Sequence, residues 1–195
     1  MAMRKYIKES IENSISFKQA LLSSEEDMTT IEAVAASIAA LFERGGKVLL
    51  CGNGGSASDA QHIAAEFVGR FVASRRALPA VALTTDTSIL TAVGNDFGFD
   101  TIFERQVEAL GREGDLLIGI STSGNSANVL KALERAKAQG MTTFGLLGGG
   151  GGRCLSLCDW AVVVGSSEAA RVQEVHILVG HILCGLSEQI LCDRG

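Results

Sequence analysis

The fold is decided by the stretch KVLLCGNGGS, which runs from Lys47 to Ser56. A second stretch, DLLIGISTSGNS from Asp115 to Ser126, has the same plan. In each, an apolar run of strand length ends in a loop of small polar residues, and a helical pattern follows. Ligands of open α/β sheets bind at the carboxyl ends of parallel strands. Small residues let backbone N–H groups approach an anion, and the next helix adds its positive N-terminus. The two loops therefore predict a site for a phosphorylated small molecule.

Strands and helices alternate around these loops. The pattern predicts five strands, near 47–52, 80–85, 115–121, 142–147 and 160–165. It predicts helices near 3–22, 30–44, 56–72, 87–93, 100–110, 126–139 and 168–192. Parallel strands joined through helices are covered on both faces. We expect an α/β three-layer sandwich in a single domain, 1–195. An N-terminal helix pair within 1–45 precedes the core of 46–195, which has a five-stranded parallel sheet and ends in a long C-terminal helix.

The composition excludes several classes of protein. Of 195 residues, 47% are hydrophobic and 5% aromatic, so the core must be largely aliphatic. A net charge of -5 without a basic stripe argues against nucleic-acid binding. No apolar run is long enough to be interpreted as a membrane span. The N-terminus, Met1 to Tyr6, turns charged at once, unlike a signal peptide. We expect a cytoplasmic protein that binds neither nucleic acid nor membrane.

The five cysteines, at 51, 154, 158, 184 and 192, contain no Cys-x-x-Cys pair. They are interpreted as reduced thiols, most of them small core residues. Cys154 and Cys158 lack the accompanying His or second Cys pair that a zinc cluster requires. The five consecutive glycines from Gly148 to Gly152 indicate a flexible connector rather than a second phosphate cradle, because no helix N-cap follows them cleanly.

Two predicted helices carry all three histidines. His62 and Glu66 are four residues apart in the helix after the first loop, so they share one face. Such a pair can hold a divalent metal or transfer protons, although most such pairs are surface contacts. His181 lies in an apolar part of the last helix, either as a core histidine or as an acid/base group or metal ligand. His176 is turned about 140° away from His181, and Gln173 lies roughly 12 Å from His181 along the axis.

A third polar stretch, from Gly94 to Phe99, contains Asn95 and Asp96. It follows the second strand and is interpreted as a loop. Its amide and carboxylate suit hydrogen bonds to sugar hydroxyls. They equally suit a turn in which Asn and Asp cap a helix. The sequence leaves both alternatives open.

Taken together, these motifs resemble the sugar isomerase (SIS) domain family, and within it the phosphoheptose isomerases. The resemblance spans nearly the whole chain, including the N-terminal helices. The matching stretches are 51–56, 59–62 with Glu66, 94–99, 121–129 and 171–176. It implies a flavodoxin-like SIS fold. It also implies interconversion of sedoheptulose 7-phosphate and D-glycero-D-manno-heptose 7-phosphate for ADP-heptose and lipopolysaccharide core synthesis, by a cytoplasmic homotetramer with active sites at subunit contacts.

The resemblance also implies residue roles. Glu66 and His181 match the catalytic acid/base pair. The zinc positions of metal-binding members are matched by His62, Glu66, Gln173 and His181. Positions at or beside the substrate and its phosphate are matched by Asn53, Gly54, Gly55, Ser56, Glu66, Asn95, Asp96, Ser121, Thr122, Ser123, Ser126 and Gln173. Two features depart from the family pattern. Ala170 stands where an Asp often precedes the Arg, and the glycine run is longer than the usual pair.

Two non-catalytic alternatives remain within the family. One relative binds the bacterial replication initiator and shares the Ala-Arg-x-Gln-Glu stretch, but it lacks a carboxylate at the position of Glu66. A sugar-phosphate-sensing regulator would use the serine loops and leave Glu66 and His181 idle. An isomerase needs a base to move a proton between adjacent carbons, so Glu66 favours the enzyme.

Two features predict that copies of this chain form an oligomer. Residues Ile7, Ile11 and Ile15 form an apolar stripe on the first helix that needs a partner. One compact site that uses His62, Glu66, Gln173 and His181 requires two helix faces brought together. Both requirements are met if subunits pack through helices and share each active site, most simply in a tetramer with dihedral symmetry.

Overall fold

All five strands of the sheet run parallel. The computed structural model describes residues 2–193, and its strand order is β2-β1-β3-β4-β5. The strands are β1 (Val48–Gly52), β2 (Ala80–Ala82), β3 (Leu116–Ser121), β4 (Thr142–Leu147) and β5 (Trp160–Val163). From β1 the chain moves outward to β2 and then returns to place β3 on the other side of β1. The switch point of the sheet therefore lies between β1 and β3, the strands that the two small-residue loops follow.

Helices cover both faces of the sheet, as the alternating pattern predicts. They are α1 (Ala2–Leu22), α2 (Glu25–Glu43), α3 (Gly55–Val68), α4 (Thr87–Phe97), α5 (Glu104–Leu110), α6 (Ala127–Ala138) and α7 (Ala169–Asp193). Two 3₁₀ segments span Phe99–Thr101 and Gly149–Leu157. Alternate residues of β3 point to opposite faces. Ile118 and Ile120 join the core with α2, α3 and α7, whereas Leu117 joins the core with α5 and α6.

The third polar stretch is not a loop. Asn95 and Asp96 lie exposed in the last turn of α4, and Asn95 Nδ2 donates to Asp96 Oδ1 at 2.8 Å. Neither residue caps a helix, because the side chain of Asp86 caps the start of α4 and Gly98 is the C-cap residue after its last residue, Phe97. The predicted loop is therefore wrong, and the helix predicted at 100–110 is divided into a 3₁₀ turn and α5. Similarly, Ser24 caps α2, so that helix begins before the predicted Thr30.

The glycine run packs against the loop at the carboxyl end of β3 and is not a detached connector. Gly149 through Gly152 all have positive φ, and this backbone lies against the loop after β3. The Cys154 N–H donates to the Gly124 carbonyl at 2.9 Å, and Arg153 N–H donates to Asn125 Oδ1 at 3.0 Å. A Cβ on Gly124 would collide with the Gly151 carbonyl, so this close approach requires glycine at 124. The connector prediction failed because this contact is not local in sequence.

Helix α7 is long and apolar enough to cross a membrane by length and composition, contrary to the expectation from the sequence. Its packing explains that composition. Val172, Val179 and Leu183 lie in the core beneath the sheet, and the helix packs along α2 and α3. The cysteines follow the prediction more closely. All five are free thiols, and Cys51, Cys154 and Cys184 are buried.

Candidate active site

Helices α3 and α7 lie side by side and run in the same direction. The Gln173 carboxamide lies against Gly55, where α3 begins. One level further along both helices, Gly180 faces the buried side chain of Ile63. Two turns further still, Glu188 contacts the chain that leaves α3. Since both residue numbers rise together, the helices are parallel, and His62 on α3 is brought beside His181 on α7.

His62, Glu66 and His181 form one cluster within a single chain. The Nε2 atoms of the two histidines lie 2.8 Å apart, a hydrogen-bond distance at which one ring donates and the other accepts. Glu66 Oε1 lies 3.4 Å from His62 Nε2. Each residue offers a ligand atom within 4.8 Å of the others, and residues 2–193 contain no second such cluster. Two imidazoles and a carboxylate are donors that suit a divalent transition metal.

The structure decides which histidine belongs to the core. His181 is only half-buried, and its ring packs at 5.8 Å from the ring of Phe71. His176 is fully buried, and burial lowers its pKa to about 4, so that it is neutral at pH 7. The core interpretation therefore applies to His176, and His181 is free to act at the cluster.

A second carboxyl group lies one turn before His62. Asp59 is half-buried, and its Oδ2 atom is buried without a hydrogen-bond partner. Burial raises the pKa of Asp59 to about 6, although the nearby His62 acts in the opposite direction. The flank of the cluster therefore carries a carboxyl group that titrates close to neutral pH.

The two small-residue loops meet at the switch point of the sheet. Asn53 and Asn128 exchange two hydrogen bonds of 2.8 Å each, which ties the first loop to the start of α6. In the second loop, Ser121 Oγ and Ser126 Oγ are 2.9 Å apart. A cavity of about 290 Å³ opens beside these contacts. Its lining consists of Asn53, Phe99, Asp100, Ser126, Ala127 and Asn128.

Both helices that follow these loops begin without a side-chain cap. The N-cap position of α3 is Gly54, and that of α6 is Ser126, whose hydroxyl faces Ser121 instead of the helix. The first N–H groups of a helix have no partner within the helix. Here some of these donors are paired: in α3 the N–H groups of Ser56 and Ala57 donate to the carbonyls of Asn53 and Gly54, and in α6 Val129 N–H donates to Asn128 Oδ1. The two N-termini therefore present mainly their positive dipole ends to an anion.

The predicted site residues fall into three groups. His62, Glu66 and His181 meet, whereas Gln173 lies two turns before His181 on α7, against Gly55 at the start of α3. A second group lies at the carboxyl edge of the sheet, in the two loops and the first turn of α3: Asn53, Gly54, Ser56, Ser121, Thr122, Ser123 and Ser126. Asn95 and Asp96 stand apart on α4 and do not line the cavity, so their substrate contacts stay a prediction. Ala170, the departure from the family pattern, is exposed on the first turn of α7.

Several residues of the site were not singled out from the sequence. Asn128 completes the amide pair, and Phe99 and Asp100 line the cavity. Asn128 occupies the first turn of α6, so its polar side chain at a helix start was the available signal. Phe71 has no such signal, because it lies in an irregular segment and reaches His181 through tertiary packing.

Comparison with known proteins places this geometry in a family. The family model described as SIS domain matches residues 15–148. The chain belongs to the SIS domain family. A phosphoheptose isomerase of Aneurinibacillus thermoaerophilus is 53% identical over 189 residues, which are 97% of this chain and 96% of the relative.

Two solved SIS domain structures are also similar over their whole length. A phosphoheptose isomerase from Neisseria gonorrhoeae has a TM-score of 0.88 and 43% identity, with 96% of this chain and 99% of that chain covered. A phosphoheptose isomerase from Francisella tularensis has a TM-score of 0.92 and 40% identity, with 97% of this chain and all 100% of that chain covered. The SIS fold predicted from the sequence is confirmed.

The parallel packing of α3 on α7 can be tested at Gly180. A Cβ at this position would lie 2.5 Å from Ile63 Cδ1 and 2.7 Å from Cγ1. Overpacking a core costs about 1–3 kcal/mol, against a gain of about 1 kcal/mol from replacing glycine within a helix. We therefore expect Gly180→Ala to lower the free energy of unfolding, measured by urea denaturation.

The matched control is the double variant Gly180→Ala/Ile63→Val, which removes the nearest methyl group. It should be more stable than the sum of the two single changes predicts. A neutral or stabilising Gly180→Ala would contradict the close approach of the two helices.

Proposed function

We propose that the chain is an aldose–ketose isomerase that interconverts sedoheptulose 7-phosphate and D-glycero-D-manno-heptose 7-phosphate. The observation that carries the proposal is the placement of Glu66 beside His181, on a helix whose N-terminus has no side-chain cap. His62 lies seven residues beyond Gly55, about 10 Å along α3. A phosphate at the loops would leave the other end of an extended seven-carbon sugar at the cluster. The names of the similar isomerases support this substrate.

The residues of the cluster suit transfer of a proton between two carbons. Starting from the ketose, the Glu66 carboxylate takes a proton from C1, and the C1–H electrons form the C1–C2 double bond. His181 gives a proton to the carbonyl oxygen on C2, which completes an enediol. The C1 hydroxyl then gives its proton to His181, and Glu66 returns its proton to C2, which gives the aldose and restores both residues. The half-buried position of Glu66 shields the transferred proton from solvent.

We assign phosphate binding to the two loops. The hydroxyls of Ser121 and Ser126, which are paired with each other, would turn toward the anion. Ser56 in the first turn of α3 and Ser123 in the second loop would add further hydroxyl donors. The N-termini of α3 and α6 add their positive dipole ends. The Asn53–Asn128 amide pair fixes the distance between the two loops. Because Ser126 does not cap α6, its hydroxyl remains available to the ligand.

We further propose that zinc is the metal of the cluster. His62, Glu66 and His181 would hold it. Gln173, eight residues before His181 and about 80° around α7, would be a fourth ligand only with both side chains reaching toward the metal. Two nitrogen ligands of one tetrahedral zinc ion lie roughly 3.3 Å apart. The 2.8 Å distance between the Nε2 atoms of His62 and His181 would therefore have to increase only slightly. When bound, zinc polarises the sugar carbonyl and stabilises the charge on the oxygens.

The two non-catalytic alternatives assign no role to the cluster of His62, Glu66 and His181. A protein that binds a replication initiator, or a regulator that senses a sugar phosphate, requires the loops alone. Neither requires a carboxylate and an imidazole aligned across two helices. The carboxylate at position 66 therefore favours the enzyme.

We propose that the enzyme works as a cytoplasmic homotetramer with active sites next to subunit contacts, and that its product supplies surface glycans. Support for the assembly comes from α1, on which Ile7, Ile11 and Ile15 are about half exposed, at 58%, 56% and 48%. An apolar cavity of about 470 Å³ lies between α1, α2 and α7, and Leu178 and Ile182 on its wall flank His181 in sequence. His62, Glu66 and His181 meet within one chain, so these three residues by themselves do not require a second subunit.

The base is tested by Glu66→Gln, which keeps the shape of the side chain but cannot take a proton. We expect kcat to fall by roughly 100- to 10,000-fold with little change in substrate affinity. Deuterium uptake from D2O at C1 and C2 of the sugar, followed by NMR, should stop as well. Calorimetry of substrate binding and measurement of metal content serve as controls, since the amide oxygen still offers a ligand. Near-normal turnover in this variant would contradict the proposed function.

The phosphate site is tested by Ser121→Ala combined with Ser126→Ala. Loss of charge-assisted hydrogen bonds should raise KM for the heptose 7-phosphate by roughly 10- to 100-fold. Turnover of unphosphorylated sedoheptulose is the internal control and should not change. A large fall in melting temperature with an unchanged KM would instead show that these hydroxyls serve the fold.

A further inference from the structure

A buried ion pair holds the connection between α3 and β2, which comprises residues 69–79. Arg75 Nε donates to Glu188 Oε2 at 2.9 Å, and the two side chains are only 6% and 4% exposed. The carboxylate also accepts three consecutive backbone N–H groups. These come from Phe71 at 3.1 Å, Val72 at 2.8 Å and Ala73 at 2.6 Å. The connection is therefore attached to α7 through a single carboxylate.

The guanidinium of Arg75 attaches the same connection to the end of α3. Its Nη2 donates to the carbonyl of Glu66 at 2.9 Å, and its Nη1 donates to the carbonyl of Phe67 at 2.9 Å. Carbonyls of the last turn have no partner within a helix. The planar guanidinium satisfies them in a fixed geometry. The backbone of the proposed base is thus held directly by Arg75.

The Glu188 carboxylate is linked to His181, the other half of the cluster, through Phe71. The backbone of Phe71 is bound to Glu188, while its ring packs on His181 with 5.8 Å between centroids. The ring also lies 3.3 Å from the position of a Cβ on Gly185, one turn beyond His181. Glu188 follows His181 by seven residues, so the two share a face of α7 two turns apart.

We propose that Arg75 and Glu188 are positioning residues of the isomerase site, which set Glu66 through its carbonyl and His181 through the ring of Phe71. The proposal rests on the proposed function for its kinetic consequence. A fully paired buried network gains little stability over apolar packing, because both charges must be desolvated. It does fix one geometry. Proton transfer needs that geometry, since small displacements of reacting groups are costly.

Three variants separate positioning from stability. Glu188→Gln removes the charge and one acceptor while keeping the size of the side chain. Phe71→Leu removes the ring on His181 and leaves the ion pair intact. Asp115→Asn is the matched control, because Asp115 is also 4% exposed, pairs with Lys47 and accepts backbone N–H groups of Lys47 and Arg112. It lies at the amino ends of the strands, away from the cluster.

Each variant is measured by melting temperature, by kcat and KM, and by the His181 Cε1–H resonance of the metal-free protein. Because the chain contains three histidines, few resonances of this kind are present and that of His181 can be assigned. The core residue His176 serves as the reference. We expect Glu188→Gln and Phe71→Leu to lower kcat roughly 10- to 100-fold with KM nearly unchanged and to shift the His181 resonance. Asp115→Asn should lower the melting temperature without either effect.

The proposal is overturned if Glu188→Gln keeps both kcat and the His181 resonance, or if Asp115→Asn lowers kcat as much. It is also overturned if Phe71→Leu is silent, and that variant decides alone if Glu188→Gln does not fold. The resonance does not depend on activity. An enzyme without heptose isomerase activity in which the resonance still shifts would therefore reject the proposed function and leave the positioning intact.

Discussion

The candidate site depends on the close approach of α7 to α3 at Gly180. A side chain there would displace Ile63, and the two helices would separate at the level where His62 meets His181. Because the helices are parallel, a contact at one level sets the contacts above and below it. Gln173 then lies against Gly55, and Glu188 reaches the connection that follows α3. The contact between Gly180 and Ile63 therefore aligns the proposed anion site, the cluster and the ion pair along the length of α3 and α7.

The sheet supplies the second constraint. Its strand order places the carboxyl ends of β1 and β3 next to each other, with the chain leaving them in opposite directions. The helices that begin there, α3 and α6, direct two uncapped N-termini toward the same crevice. Only α3 also packs on α7. In the proposed function, the sugar phosphate binds at the start of a helix whose body carries the proposed base, so that one small domain combines anchoring with chemistry.

Much of this arrangement could be predicted from local patterns. The loop sequences and the alternation of strands with helices are determined within short windows, as is the shared face of His62 and Glu66. Contacts between distant segments could not be derived in that way. His181 is 119 residues from His62, and Asn128 is 75 residues from Asn53. Local patterns also misled at Asn95 and Asp96, where the capping residue Asp86 lies nine residues upstream of Asn95 and α4 extends through both positions.

The central claim is that Glu66 and His181 of the same chain form one site. Its most direct test is to coexpress Glu66→Gln and His181→Ala chains and to measure isomerase activity in the mixed oligomers. If each site is built by one chain, every site in the mixture carries one defect. The activity should then not exceed the sum of the separately purified variants. Activity well above that sum would mean that the two residues meet across a subunit contact, which would contradict a site completed within one chain.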